Sequence, residues 1–168
     1  KMKKYLSLNN KAIKNSLNNE TLVVIPARSG SKRIKNKNIR IVNGKPLIWW
    51  TIKYAKEYFE NNDIVISSDS MAIQKIALTE KIEFINRPKK ISGDKSNVYL
   101  AINHVLNSIK SKTKYKYIVL LQPTSPLRPK NLIKNGIKLL KRNKNFQNLI
   151  ELEKTNYHIG SVSKKNEW

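Results

Sequence analysis

Apolar residues along this chain come in short unbroken runs separated by longer stretches with helical spacing. The first run, over residues 21–27, contains Leu22, Val23, Val24 and Ile25. A continuous β-branched run suits a parallel strand covered on both faces, because a half-exposed strand would alternate. Beyond a basic, glycine-containing loop, Pro46 stands where a first helical residue is tolerated, and Ile48, Ile52, Ala55 and Phe59 recur at helical spacing. Asp63-Ile64-Val65-Ile66-Ser67 predicts a second strand, after which Ser70 is placed to cap a short helix carrying Ile73, Ile76 and Ala77. Residues 82–85 predict a third strand and residues 87–96 a loop, and Val98, Ala101, Ile102, Val105 and Ile109 mark a further helix. Tyr117-Ile118-Val119-Leu120-Leu121 is the fourth strand, followed by a proline-rich segment and a helix with Leu132, Ile133, Gly136, Ile137 and Leu140 inward.

Such β-α alternation predicts an open, mostly parallel, three-layer α/β/α sheet whose ligands bind beyond the carboxyl ends of the strands. The loops starting near Arg28, Ser68, Arg87 and Gln122 should therefore converge. Outside this unit, residues 1–20 are polar and basic with irregular apolar spacing and read as a leader or linker. From residue 146 onward the pattern changes to short strand-like runs with no following helix, which predicts a separate and incomplete element.

The chain has 168 residues, 39% hydrophobic and 27% charged, enough for one globular domain with a real core. No apolar stretch approaches the roughly 18 residues of a membrane span, and no signal-peptide order opens the chain, so a cytoplasmic protein is expected. The absence of cysteine excludes disulfides, thiolate metal sites and a cysteine nucleophile. Lys plus Arg number 34 against 11 Asp plus Glu, a formal charge of +23, which makes polyanions possible partners. The lysines are spread along the whole chain with abundant Asn and Ile, and no nucleic-acid-binding motif accompanies them, so no specific nucleic-acid partner is expected.

The densest chemistry lies in Arg28-Ser29-Gly30-Ser31-Lys32-Arg33-Ile34-Lys35-Asn36-Lys37-Asn38, directly after the first strand. Gly30 permits backbone amides to turn towards an anion, Ser31 adds a hydroxyl donor, and Arg28 and Lys37 can neutralise a polyphosphate whose charge grows during transfer. The spacing is neither that of a Walker loop nor G-x-G-x-x-G. A solvated basic turn is the plainer alternative.

Five strings in order carry a resemblance: Ile25-Pro26-Ala27-Arg28-Ser29-Gly30-Ser31-Lys32 with Lys37-Asn38, Gly44-Lys45-Pro46-Leu47-Ile48, Ser67-Ser68-Asp69-Ser70, Arg87-Pro88, and Leu120-Leu121-Gln122-Pro123-Thr124-Ser125-Pro126-Leu127-Arg128. Over about residues 21–142 the chain closely resembles the acylneuraminate cytidylyltransferases, or CMP-sialic acid synthetases. The resemblance implies a Rossmann-like nucleotidyltransferase fold with residues 21–145 as its nucleotide-binding α/β domain and residues 146–168 as the start of an incomplete dimerisation and sugar-site insert. It implies transfer of CMP from CTP to a sialic-type nonulosonic acid, with Mg2+ as cofactor and pyrophosphate as leaving group, in a cytoplasmic homodimer serving lipooligosaccharide or capsule synthesis.

Residue by residue, Arg28 and Lys37 match catalytic, triphosphate-binding positions, Ser31 a phosphate-contacting serine, Asn38 a nucleotide-contacting asparagine and Arg87 an arginine near the cytosine. Gln122, Thr124 and Ser125 match the loop that reads the sugar. Another sugar acid of legionaminic, pseudaminic or Kdo type would use the same chemistry, and a non-catalytic remnant that only binds nucleotide is the alternative from another class. Arg33 and Lys35 stand where the family commonly has Gly and Pro, and Lys95-Ser96-Asn97-Val98 replaces small hydroxyl residues, so loop geometry and base contacts are open there. Asp occurs only at positions 63, 69 and 94, which leaves the metal ligands unassigned and the chain inactive on its own by expectation. For Asp69 a helix cap is the plain reading, for Arg128 a carboxylate partner in the core or at a helix start, and for His104 a packing role.

Overall fold

The computed structural model describes residues 20–30, 34–93, 96–109, 115–143, 145 and 149. Four parallel strands form the main sheet: β1 (Thr21–Pro26), β4 (Ile64–Ser68), β5 (Glu83–Asn86) and β6 (Tyr117–Leu120), in the order β5-β4-β1-β6. A separate antiparallel hairpin joins β2 (Ile41–Val42) to β3 (Lys45–Pro46). Helices α1 (Leu47–Tyr58), α2 (Met71–Thr79), α3 (Val98–Ser108) and α4 (Leu132–Arg142) connect or follow the strands. The expected fold class therefore holds, and each expected strand lies within a residue or so of its expected place. Among the described residues, no helix is long and apolar enough to cross a membrane.

The unbroken apolar run of β1 is explained by its position between β4 and β6. Val23 and Ile25 point into a core shared with Ile48, Ile52 and Ala55 of α1, Ile73 and Ala77 of α2, and Ile133 and Ile137 of α4. Leu22 and Val24 point the other way, against Val65, Ile85 and Val105 and Ile109 at the end of α3. Both faces are dry, so every position of the strand must be apolar. Each fully buried Val, Leu or Ile contributes roughly 1.5–3 kcal/mol of transfer free energy.

The helices start where their caps allow. The Ser70 hydroxyl accepts from the Ile73 amide at 3.4 Å to open α2, and Asn97 Oδ1 accepts from the Tyr99 amide at 3.0 Å to open α3. Ser70 is thus the cap, and Asp69 is released for another task. The hairpin escaped the sequence reading: Asn43 and Gly44 both take positive φ, 49° and 75°, as a two-residue hairpin turn requires. Its strands have only two residues each, too short to show alternation.

Hydrogen bonding continues past the strand ends. Ala27 N–H donates to Ser67 O at 2.9 Å, Arg87 N–H to Ser68 O at 2.8 Å and Leu121 N–H to Val24 O at 3.0 Å. The loops after β1, β5 and β6 therefore leave the sheet from fixed points at one edge.

Helix α1 fixes the last of these loops through three side chains spaced along one face. Arg128 Nη1 donates to the Thr51 hydroxyl at 3.2 Å, the Tyr54 hydroxyl donates to Pro129 O at 3.1 Å, and the Asn131 amide donates to the Tyr58 hydroxyl at 2.9 Å. Replacing Tyr58 by Phe removes one acceptor and strands a part-buried amide, which should cost about 1–3 kcal/mol in urea unfolding. Ile52→Ala, in the core beneath, should cost about 2–5 kcal/mol, whereas Leu78→Ala at an exposed site should stay within about 0.5 kcal/mol.

Candidate active site

Strand order reverses at β1, whose neighbours β4 and β6 carry the chain in opposite directions across the sheet. Open α/β sheets bind ligands in the crevice at such a point. A cavity of about 250 Å³ lies there, lined from β1 by Arg28, Gly30, Lys37 and Asn38, from β5 by Arg87, Ile91, Gly93 and the start of α3 at Ser96 to Val98, and from β6 by Gln122, Pro123 and Thr124. Six of the residues expected from sequence, Arg28, Lys37, Asn38, Arg87, Gln122 and Thr124, thus share one wall-to-wall space. Ser125 does not line it, because its amide turns back to Gln122 O at 3.2 Å and its side chain is exposed. Ser31 lies outside the described residues.

The first loop is shaped by two asparagines. Asn36 takes a left-handed conformation, φ 55°, which Asn tolerates better than most residues, and a single 3-10 turn over Lys37–Ile39 follows. That turn buries Asn38, whose Nδ2 donates to Arg28 O at 3.0 Å and so ties the two halves of the loop together. Its Oδ1 is buried with no partner among the described residues. Buried acceptors are normally satisfied, so a ligand donor would complete this one.

Arg87 is 6% exposed, and its head is anchored to the sheet: Nε donates to the Ser67 hydroxyl at 3.1 Å and Nη2 to Ser67 O at 2.7 Å. Burial pushes its pKa down, the Asp69 charge pulls it back up, and neighbouring Arg28 pushes it down again, for a net lowering. A guanidinium stays protonated regardless, so two like charges face one cavity and an anion between them would relieve their repulsion. Lys37 adds a third cation to the same wall.

Asp69 sits at the end of β4 and takes two hydrogen bonds from Ser29, from the amide to Oδ1 and from the hydroxyl to Oδ2, both at 2.7 Å. Burial pushes its carboxyl up, but the bonds from Ser29 and the charge of Arg87 outweigh this and hold it below the ordinary aspartate range. The other described aspartate, Asp63, is buried and accepts from the Tyr115 hydroxyl at 3.3 Å. Among the described residues no group of three or more potential metal ligands comes together. These residues do not fit a carboxylate-built magnesium site.

On the β6 side, Arg128 Nη2 donates to Gln122 O at 2.6 Å, and its guanidinium lies 5.6 Å from the centre of the Tyr54 ring. It thereby closes the loop on itself and presents the Gln122 side chain at the cavity. His104 lies six residues along α3 from Val98, about 9 Å at the usual rise, and does not line the cavity. Ser96 and Asn97 do line it, so a hydroxyl and an amide stand where the sequence left the base contacts open. Asn97 also caps α3, a role the sequence analysis did not assign to it, and nothing local marked it as a cavity residue.

The cytidylyltransferase family model matches residues 22–166. An N-acylneuraminate cytidylyltransferase of Escherichia coli O18:K1:H7 is 34% identical over 137 residues, covering 80% of this chain and 32% of that protein. A pseudaminic acid cytidylyltransferase of Campylobacter jejuni serotype O:23/36 is 37% identical over 120 residues, covering 70% of this chain and 51% of the relative. The chain therefore spans between a third and a half of the length of these curated relatives. Among solved structures, a CMP:2-keto-3-deoxy-manno-octonic acid synthetase complexed with CTP superposes with a TM-score of 0.61 at 16% identity, covering 75% of this chain and 49% of that one, which identifies the nucleotidyltransferase α/β fold. Family match, relatives and fold point the same way: the chain belongs to the cytidylyltransferase family.

Proposed function

We propose that this chain carries the nucleotide-binding part of an enzyme that transfers CMP from CTP to a nine-carbon, sialic-type sugar acid. The observation that supports this most directly is the convergence of Arg28, Lys37 and Arg87 with uncharged Asn38, Gln122 and Thr124 on one cavity at the reversal point of the sheet. The cationic side suits a triphosphate, and the amide and hydroxyl side suits the hydroxyls and amide of an acylated sugar acid.

In this reading the anomeric hydroxyl attacks the α-phosphorus of CTP, the bond to the bridging oxygen breaks, and pyrophosphate leaves. Arg28 and Lys37 stabilise the charge that builds on the phosphates, Asn38 Oδ1 accepts from the bound nucleotide, and Gln122 and Thr124 orient the sugar. Alignment and charge stabilisation suffice for such a transfer without an enzyme nucleophile. Mg2+ is the cofactor that this chemistry takes, and we assign none of the described residues to it. Ser31, outside the described residues, keeps its proposed place at the phosphates, whereas Ser125, exposed and outside the cavity, could meet the sugar only at the cavity's rim. Residues 21–145 form the nucleotide-binding unit, residues 146–168, nearly all of them outside the described residues, are read as the start of an incomplete dimerisation insert, and the enzyme works as a cytoplasmic homodimer where CTP is available.

Pseudaminic and legionaminic acids remain the specific alternative substrates, supported by relatives 37% and 35% identical that act on them. A panel of sugar acids presented with CTP to a full-length form decides among them by CMP-sugar yield.

Calorimetry on the chain itself should show CTP binding more tightly than ATP or GTP at moderate salt; equal affinities would reduce the site to general attraction by a basic surface. Lys37→Ala in a full-length form should lower turnover by roughly 100-fold, as removal of a transition-state donor does, while changing stability by less than about 0.5 kcal/mol. Near-normal turnover would remove Lys37 from the mechanism.

A further inference from the structure

Two consecutive residues of the phosphate loop, Ser29 and Gly30, are exposed, and a methyl group added at Gly30 would meet nothing within 4 Å. Packing therefore does not hold this part of the loop, and its hydrogen bonds must. Asn38 secures Arg28 O on one side. On the other, the Asp69 carboxylate accepts both the amide and the hydroxyl of Ser29 at 2.7 Å, a two-point grip across 40 residues of sequence. A carboxylate beside a triphosphate cavity is electrostatically costly, because it repels the ligand that the cations attract. Its retention needs a geometric reason, and the grip supplies one.

We propose that Asp69 is a positioning residue, which latches the phosphate loop through Ser29 and so presets the posture of Arg28 and Gly30 for a polyphosphate. The latch joins the loop after β1 to the loop after β4, and both oxygens of Asp69 are used in it. Burial opposes the charge of this carboxylate, and the two bonds from Ser29, and after them the charge of Arg87, keep it ionised. An asparagine replaces it only in part, since it loses the charge and offers one acceptor oxygen, so the Ser29 hydroxyl would have to turn and accept instead of donating.

The inference rests on the CTP reading, and two measurements separate their fates. In calorimetry on the full 168-residue chain, Asp69→Asn should weaken CTP and inorganic pyrophosphate about tenfold and leave cytidine unchanged. A carboxylate that merely repelled the ligand would give the opposite sign, with tighter CTP binding. Ser29→Ala, which keeps the amide bond and loses the hydroxyl bond, should give a loss of about threefold, Ser29→Thr should restore wild-type affinity, and Asp69→Asn with Ser29→Ala should be no weaker than Asp69→Asn alone. Hydrogen exchange on the ligand-free chain should show the Ser29 and Gly30 amides at least about tenfold faster in Asp69→Asn. Unchanged exchange together with equal or tighter CTP binding overturns the latch. Equal binding of CTP and ATP by the wild-type chain overturns the CTP reading instead, while the exchange rates still decide whether the latch exists. Should Asp69→Asn not fold, the Ser29→Ala and Ser29→Thr pair carries the same test.

Discussion

Everything at the site depends on the pairing of β1 with parallel strands on both edges. That pairing makes β1 the driest element of the protein, with Leu22 to Ile25 fully buried, and it fixes where its carboxyl end emerges. Because hydrogen bonding runs on from β1 to Ser67 and from Leu121 back to Val24, the neighbouring loops begin at a height set by the sheet. A shift in strand register would move Arg28 relative to Gln122 and dissolve the cavity. The apolar core is thus the device that holds cations and amides at working separation.

The site divides its labour by charge. Cations from the loops after β1 and β5 make one wall, while the loop after β6 contributes side chains that carry no charge. Arg87 shows that not every cation there is a free ligand contact, since two of its nitrogens bind Ser67 and its head is largely buried. Its positive charge still contributes to the field of the cavity, but its reach is limited by its anchor. The loop after β1 is held through its backbone at Arg28 and Ser29, and Arg28 and Lys37 line the cavity.

The main sheet was legible in the sequence because burial on both faces leaves an unbroken apolar signature, as in β1 and β4, and because helices such as α1 repeat Ile48, Ile52 and Ala55 on one side. The Asn43-Gly44 hairpin was less legible: its turn chemistry is plain, but Ile41 and Val42 are exposed and two residues cannot establish a period. At the site, motif strings found the residues of the cavity wall and could not rank them. Thr124 and Ser125 are adjacent hydroxyls, and only the turn back to Gln122 O separates the one in the cavity from the one outside it. For Asp69 the local sequence suggested a cap, whereas its partner is 40 residues away and became visible only when β1 and β4 were paired.

The three tethers between α1 and the loop after β6 also make the posture of that loop a property of the helix. None of Thr51, Tyr54 and Tyr58 lines the cavity, yet each holds a different point between Gln122 and Asn131. Exchanging one of them would alter the posture of the loop that carries Gln122 and Thr124 without touching the cationic wall. The uncharged wall of the cavity can thus be retuned from a helix that does not line it, and libraries that vary this helix face would reshape one wall while preserving the other.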